Sequence, residues 1–219
     1  MRVAIAGAGN VGRSIARELL GNGHDVLLID RDPRAIKVDS VPAAEWLLAD
    51  ACEIASLEEA ALQRCTVVVA ASGDDKVNLV VSLLAKTEFG VPRVVARVND
   101  PKNEWMFGEA WGVDVAVSTP RLLSALVEEA VTVGDLVRLL TLRQGQAELV
   151  ELTLPDQGVV VGRRVGDVPW PPDTALVTIV RSGRVLVPSP DHSLEAGDEL
   201  MFVASPDRED ELAELLHNG

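Results

Sequence analysis

The feature that most limits what this chain can fold into is a turn of three glycines. Gly7-Ala8-Gly9-Asn10-Val11-Gly12 follows a short apolar run, Val3 to Ala6, and opens a segment of helix-forming composition, Val11 to Leu20. A second apolar run, Val26 to Ile29, ends at Asp30, 18 residues after Gly12. A lone G-x-G-x-x-G is a weak signal. Strand, turn, helix, strand and terminal carboxylate in this order describe a dinucleotide-binding βαβ unit. Gly7 permits the tight turn, Gly9 lets a pyrophosphate approach the backbone, and Gly12 lets the helix pack closely on the strand. The unpaired amides and the dipole at the helix N-terminus then favour phosphate. Asp30 is expected to accept hydrogen bonds from both ribose hydroxyls. A 2′-phosphate would meet like charge there, which favours NAD(H) or an adenosine nucleotide over NADP(H), while the neighbouring Arg31 works in the opposite sense.

Short β-branched runs continue to alternate with helical stretches as far as residue 117. Beyond the first two, the runs are Trp46 to Ala49, Val67 to Ala70, Val94 to Val98 and Val113 to Val117. Leu57 to Gln63, Lys76 to Lys86 and Lys102 to Trp111 are the expected helices between them. Apolar strands alternating with helices form a parallel sheet buried on both faces. The expected fold is therefore α/β, a Rossmann-like doubly wound sheet over residues 1–118.

The pattern changes at Ser118-Thr119-Pro120, a hydroxyl cap with proline at the first helical position. Leu122, Leu123, Leu126, Val127, Ala130, Val131, Val133, Leu136, Val137, Leu139 and Leu140 then crowd residues 119–142, more than one helix face needs. A long crossover helix packed against a second subunit is expected, the alternative being burial against its own domain. From residue 143 to 219 the expectation is a smaller α+β domain with strands at Leu149 to Leu154, Ala175 to Arg181, Arg184 to Val187 and Glu199 to Ala204. A hairpin turn at Ser182-Gly183 and a closing helix, Asp207 to Leu216, complete it.

Further candidate ligands lie at the carboxyl ends of the parallel strands, where such sheets bind them. These are Asp50, the run Ser72-Gly73-Asp74-Asp75, and Arg97. Asp74 or Asp75 has the alternative role of capping the next helix. Arg97, ending an apolar strand, needs either a phosphate or an internal salt bridge.

The net charge of −14 repels nucleic acid and anionic lipid surfaces. The longest run without a charge is the ten residues from Val3 to Gly12, about half of what a membrane-spanning helix needs. Met1-Arg2 does not lead into a signal peptide, and Cys52 and Cys65 lack ligand-like spacing. A cytoplasmic protein with two buried thiols is expected. A small NAD-dependent oxidoreductase is the alternative function, but His24, His192 and His217 have no catalytic-looking setting and tyrosine is absent. A redox-sensing transcription regulator would want a basic recognition helix, which the acidic balance does not supply.

With these residues assembled, the chain resembles the Trk system potassium-uptake regulatory proteins, which join a nucleotide-binding RCK (KTN) domain to an RCK C-terminal domain. The resemblance covers nearly the whole length. It rests on Val3 to Gly12, Gly23-His24-Asp25-Val26 with Ile29-Asp30, Gly73-Asp74-Asp75 with Asn78-Leu79, and Ala96-Arg97-Val98-Asn99-Asp100-Pro101. In the second half it rests on Val180-Arg181, Val187-Pro188 and Leu194-Glu195-Ala196-Gly197-Asp198. It implies a homo-oligomer, dimers closing into a ring or joining a paralogous regulatory subunit, peripheral on the cytoplasmic side of a potassium-translocating membrane subunit. NAD(H), ATP or ADP is the implied ligand. Gly7, Ala8, Gly9, Asn10, Val11, Gly12, Asp30, Ser72, Gly73 and Arg97 match the family's nucleotide site, and Asp50 matches more loosely. Some relatives carry arginine where Asn10 stands; asparagine cannot bring that charge to a terminal phosphate.

Overall fold

The structure, a computed structural model, describes residues 1–131, 133–142 and 147–218. The side chains of residues 129, 130, 141, 217 and 218, Ala130 and His217 among them, lie outside that description. The chain divides into two compact units, Met1–Pro120 and Arg121–Gly219.

In the first unit six strands pair in parallel: β1 (Arg2–Ala6), β2 (Asp25–Asp30), β3 (Glu45–Leu48), β4 (Val67–Ala70), β5 (Arg93–Val98) and β6 (Val115–Ser118). Their order is β3-β2-β1-β4-β5-β6. The chain winds outward from β1 to β3, then returns to β4 and winds the other way, so the crevice at the carboxyl ends lies where β1 meets β4. Successive residues of each inner strand serve opposite faces. Ala4, Ala6, Leu27, Ile29, Val68 and Ala70 join one core, whereas Val3, Ile5, Val26, Leu28 and Val69 join another. Burial on both sides is why these strands read as unbroken apolar runs.

Helix α1 (Asn10–Gly21) covers one face with Ala16, and α2 (Ile54–Glu59) and α3 (Asp75–Thr87) cover the other with Leu57, Leu79, Val81 and Ala85. Two expected helices are corrected. Residues 102–111 form two 3₁₀ segments, Pro101–Met106 and Glu109–Trp111, because extended Gly108 separates them and Gly112, at φ 72°, ends the second. Leu57 to Gln63 splits at left-handed Ala61 (φ 50°) into α2 and a 3₁₀ turn, Leu62–Arg64.

The long crossover helix is also corrected. Helix α4 runs only over Thr119–Val131, and the apolar residues that follow belong to a strand, β7 (Val137–Leu142). Gly134 adopts φ 98° and donates its amide to the carbonyl of Thr153 at 2.9 Å, a geometry that carries the chain out of the helical repeat. The expected boundary after residue 142 abuts residues 143–146, which lie outside the described ones.

The second unit builds an antiparallel sheet, β10-β9-β11-β8-β7, from β7, β8 (Ala147–Thr153), β9 (Thr174–Arg181), β10 (Arg184–Leu186) and β11 (Glu199–Ala204). Ser182 and Gly183, at φ 51° and 73°, make the expected hairpin turn between β9 and β10. Val150, Leu152, Ile179, Leu200 and Phe202 bury one sheet face against Leu212 and Leu216 of the closing helix α5 (Glu209–Asn218). The Trp170 ring lies 5.3 Å from that of Phe202 and donates its Nε1 proton to the carbonyl of Val165. Among the described residues no helix is long and apolar enough to cross a membrane.

Candidate nucleotide-binding site

At the carboxyl ends of β1, β2, β4 and β5 lies a cleft of about 540 Å³. Of the residues expected at the site, Gly7, Gly9, Asn10, Val11, Asp30, Arg31, Asp50, Ser72, Gly73, Asp74 and Arg97 line it. Ala8 and Gly12 do not; both are buried behind it.

Two of the glycines explain the turn. A Cβ on Gly12 would stand 1.8 Å from the Gly7 carbonyl oxygen, so the absence of a side chain is what lets α1 start against the turn. Gly7, at φ 109°, is pressed against the Ala71–Ser72 backbone, where an added Cβ would come within 2.7 Å of the Ser72 amide. Gly9 differs: a Cβ there meets nothing within 4 Å, and its φ of −67° suits any residue. Gly9 also lines the cleft, where a phosphate needs close approach to the backbone. No side chain caps α1, so the first amides, at Asn10, Val11 and Gly12, keep donors that the helix itself cannot satisfy.

Asp30 ends β2 with its carboxylate shared between two backbone donors, Ala8 at 2.8 Å to Oδ2 and Asp32 at 2.9 Å to Oδ1. A carboxylate has about four acceptor positions, so the ribose contact expected of Asp30 remains open to it beside its grip on the glycine turn. Arg31 is mostly exposed and pairs with Asp50 at 3.3 Å. The Asp50 carboxyl is held below the usual range chiefly by the Cys52 amide and secondly by Arg31, against the upward push of burial. Burial, then the charge of Asp50, raises the Cys52 thiol, so Cys52 stays protonated at neutral pH.

The opposite wall comes from the β4 and β5 ends. Asp74 accepts the Lys76 amide at 2.9 Å as the cap of α3 and also lines the cleft. Asn78, fully buried, ties the two strand ends together: its Oδ1 accepts the Ser72 amide at 2.9 Å, and its Nδ2 donates to the carbonyls of Ser72 and Arg97 at 3.1 and 2.8 Å. Asp75 faces away from a capping role. Its carboxylate receives the amides of Asn99 and Asp100 and the side chains of Asn99 and Asn103. Burial pushes this carboxyl up, but the bonds from Asn103, Asn99 and Asp100 together outweigh it and hold it below the usual range.

Arg97 lines the same cleft. Among the described residues no carboxylate pairs with it, and its Nε is buried without a hydrogen-bond partner. A buried guanidinium N–H left unpaired costs about 1–3 kcal/mol, and here it belongs to a residue lining the cleft. The apolar lining, Ala6, Ile29, Ala49, Ala51, Ala71 and Val77, was not among the candidates. Small apolar residues at strand ends give no signal in a sequence until a cleft gathers them. No group of three or more His, Cys, Asp or Glu residues suited to a metal occurs among the described residues.

Comparison with known proteins agrees with this anatomy. Residues 3–119 match the TrkA-N domain and residues 149–217 the TrkA-C domain. The chain is 62% identical over 216 residues to the Trk system potassium uptake protein TrkA of Mycobacterium tuberculosis, covering 99% of this chain and 98% of that one. Among solved structures, the GsuK channel bound to NAD aligns over 100% of this chain and 40% of its own, with TM-score 0.66 at 15% identity. GsuK bound to ADP aligns over 58% of this chain and 33% of its own, with TM-score 0.52 at 25% identity. A three-glycine turn tied to Asp30, a doubly wound sheet and a separate antiparallel unit thus occur together in a chain that belongs to the TrkA family of Trk potassium-uptake proteins.

Proposed function

We propose that this chain is the nucleotide-sensing regulatory subunit of a Trk-type potassium uptake system, gating a separate potassium-translocating membrane protein from its cytoplasmic side. NAD(H) or ATP/ADP binds the cleft of the first unit. The phosphates lie on the amides of Asn10, Val11 and Gly12, the ribose on Asp30, and Arg97 answers phosphate charge from the opposite wall. The ligand is a signal and not a substrate.

The observation that carries this reading is the unpaired, buried Nε of Arg97 across the cleft from an uncapped helix N-terminus. Two sources of positive potential converge on one space, and an anion is what that space accommodates. The relatives named for potassium uptake and the GsuK structures bound to NAD and ADP support the same assignment. Oligomerisation through α4 follows from its outward apolar residues, Leu123, Leu126, Val127 and Val131, which are 55–76% exposed.

A ligand shifts a conformational equilibrium only by its difference in affinity for the two states. NADH against NAD, or ATP against ADP, therefore acts by favouring different subunit arrangements. Mass spectrometry of the denatured purified protein, followed by calorimetric titration with NADH, NAD, ATP and ADP, tests the ligand. Failure of all four to bind at millimolar concentration would remove the proposal's signal. Potassium flux through the co-reconstituted membrane partner, with and without nucleotide, tests gating.

A further inference from the structure

Arg13, the fourth residue of α1, is half-buried and folds back over the turn from which its helix starts. One amino group of its guanidinium donates to the Ala8 carbonyl, and the other donates to Asn10 Oδ1 at 2.7 Å. Long side chains on a helix lean toward its N-terminus, so the backbone itself aims this cation at the phosphate end of the cleft. Both acceptors are neutral, and among the described residues no ion pair involves Arg13. Arg31, by contrast, is committed to Asp50.

The charge of the cleft gives this position its meaning. Asp30, Asp50 and Asp74 line it against Arg31 and Arg97, three negative charges against two positive. A chain of phosphates entering a site whose own lining is net negative needs a further cation, more so with each phosphate added. Arg13 stands one hydrogen bond from the lining residue Asn10. Exchanging a neutral amide oxygen for an anionic phosphate oxygen roughly doubles the strength of each hydrogen bond it makes. Release of Asn10 also frees that side-chain amide for the ligand.

Resting on the reading of the cleft as an adenine-nucleotide site, we propose that Arg13 distinguishes nucleotides by the length of their free phosphate chain, leaving Asn10 for the terminal phosphate of ATP while AMP and NAD(H), whose diphosphate is esterified at both ends, leave it in place. It is a specificity-determining residue, and Arg97 is the contact common to all the ligands.

Calorimetric titration of the full chain with AMP, ADP, ATP and NADH, for the wild type, Arg13→Gln and Arg13→Lys, tests this, with thermal unfolding confirming that each variant is folded. Arg13→Gln should weaken ATP on the order of tenfold, the loss expected for a charged hydrogen bond, with a smaller loss for ADP and AMP and NADH within about twofold. Arg13→Lys, which keeps the charge without the planar fork, should recover part of the ATP affinity. An equal loss across all four ligands would mean that Arg13 only braces the turn, and unchanged affinities would mean that it never leaves Asn10; either overturns the proposal. Absence of binding to the wild type would instead overturn the nucleotide reading, before any variant is made.

Discussion

Asp30 accepts the amide of Ala8 at 2.8 Å, so the residue expected to hold a sugar also holds the phosphate turn. Its second oxygen holds the Asp32 amide. Replacing it by asparagine keeps the shape but sets an N–H group against one of these donors. Asp30→Asn should therefore cost about 1–3 kcal/mol of stability, the price of a buried donor left unsatisfied, and weaken every adenine nucleotide. Urea unfolding and calorimetry on the same preparation check both parts. An unchanged unfolding midpoint would show that the turn stands without the carboxylate.

The three glycines should separate by what surrounds them. Gly12→Ala forces a Cβ to 1.8 Å from the Gly7 oxygen, and Gly7→Ala combines a 2.7 Å backbone contact with φ 109°. Both variants should lose more than about 3 kcal/mol or fail to accumulate, since neither neighbour is a flexible side-chain tip. Gly9→Val meets no protein atom within 4 Å of its Cβ. It should melt within a few degrees of the wild type yet bind no nucleotide. A Gly9→Val protein with wild-type affinity would remove Gly9 from the site.

What was legible in the sequence follows from range. Gly7, Gly9 and Gly12 act through backbone positions within one short turn, and their spacing to the strand-ending carboxylate of Asp30 implies strand, turn, helix and strand. Asn78 and Asp75 act through partners up to 28 residues away, and nothing local distinguishes a knot between two strand ends from a polar helix start. The strand β7 is hidden for another reason: Leu136, Val137, Leu139 and Leu140 satisfy a helical and an extended reading equally, and Gly134 is the one local sign that the helix has ended.

Helix α4 should mediate self-association. Ala125 is buried within the fold, but Leu123, Val127 and Val131 follow one another at spacings of four and are 60%, 63% and 76% exposed. Stripes of this kind on a helix seek a partner. Sedimentation velocity should find the wild type as a dimer or larger, and Leu123→Glu with Val127→Glu should shift it to monomer without lowering its melting temperature by more than a few degrees. A monomeric wild type at tens of micromolar would rule out α4 as the contact.

The second unit should lose stability as pH rises through neutrality, and Glu148 is the reason. Glu148 on β8 is 3% exposed and shares Arg138 of β7 with Glu209 at the start of α5, with Arg138 Nη1 at 3.0 Å from Glu148 Oε1. Burial, then the adjoining Glu209 carboxyl, pushes Glu148 up to about 7 from 4.5, against the opposing charges of Arg138 and Arg121. A carboxyl whose pKa is higher in the folded than in the unfolded chain binds its proton more tightly when folded. Its contribution is fully present below about 4.5 and is lost as pH climbs through about 7. The urea midpoint should therefore fall between pH 5 and pH 8, by an amount equivalent to roughly 1–3 kcal/mol. Glu148→Gln fixes the neutral form at every pH and should remove most of that fall, whereas Glu128→Gln, on exposed α4, should leave it in place. A wild-type midpoint that rises over this interval, or a Glu148→Gln variant that keeps the full decline, would show that the Arg138 charge holds Glu148 ionised in the folded chain.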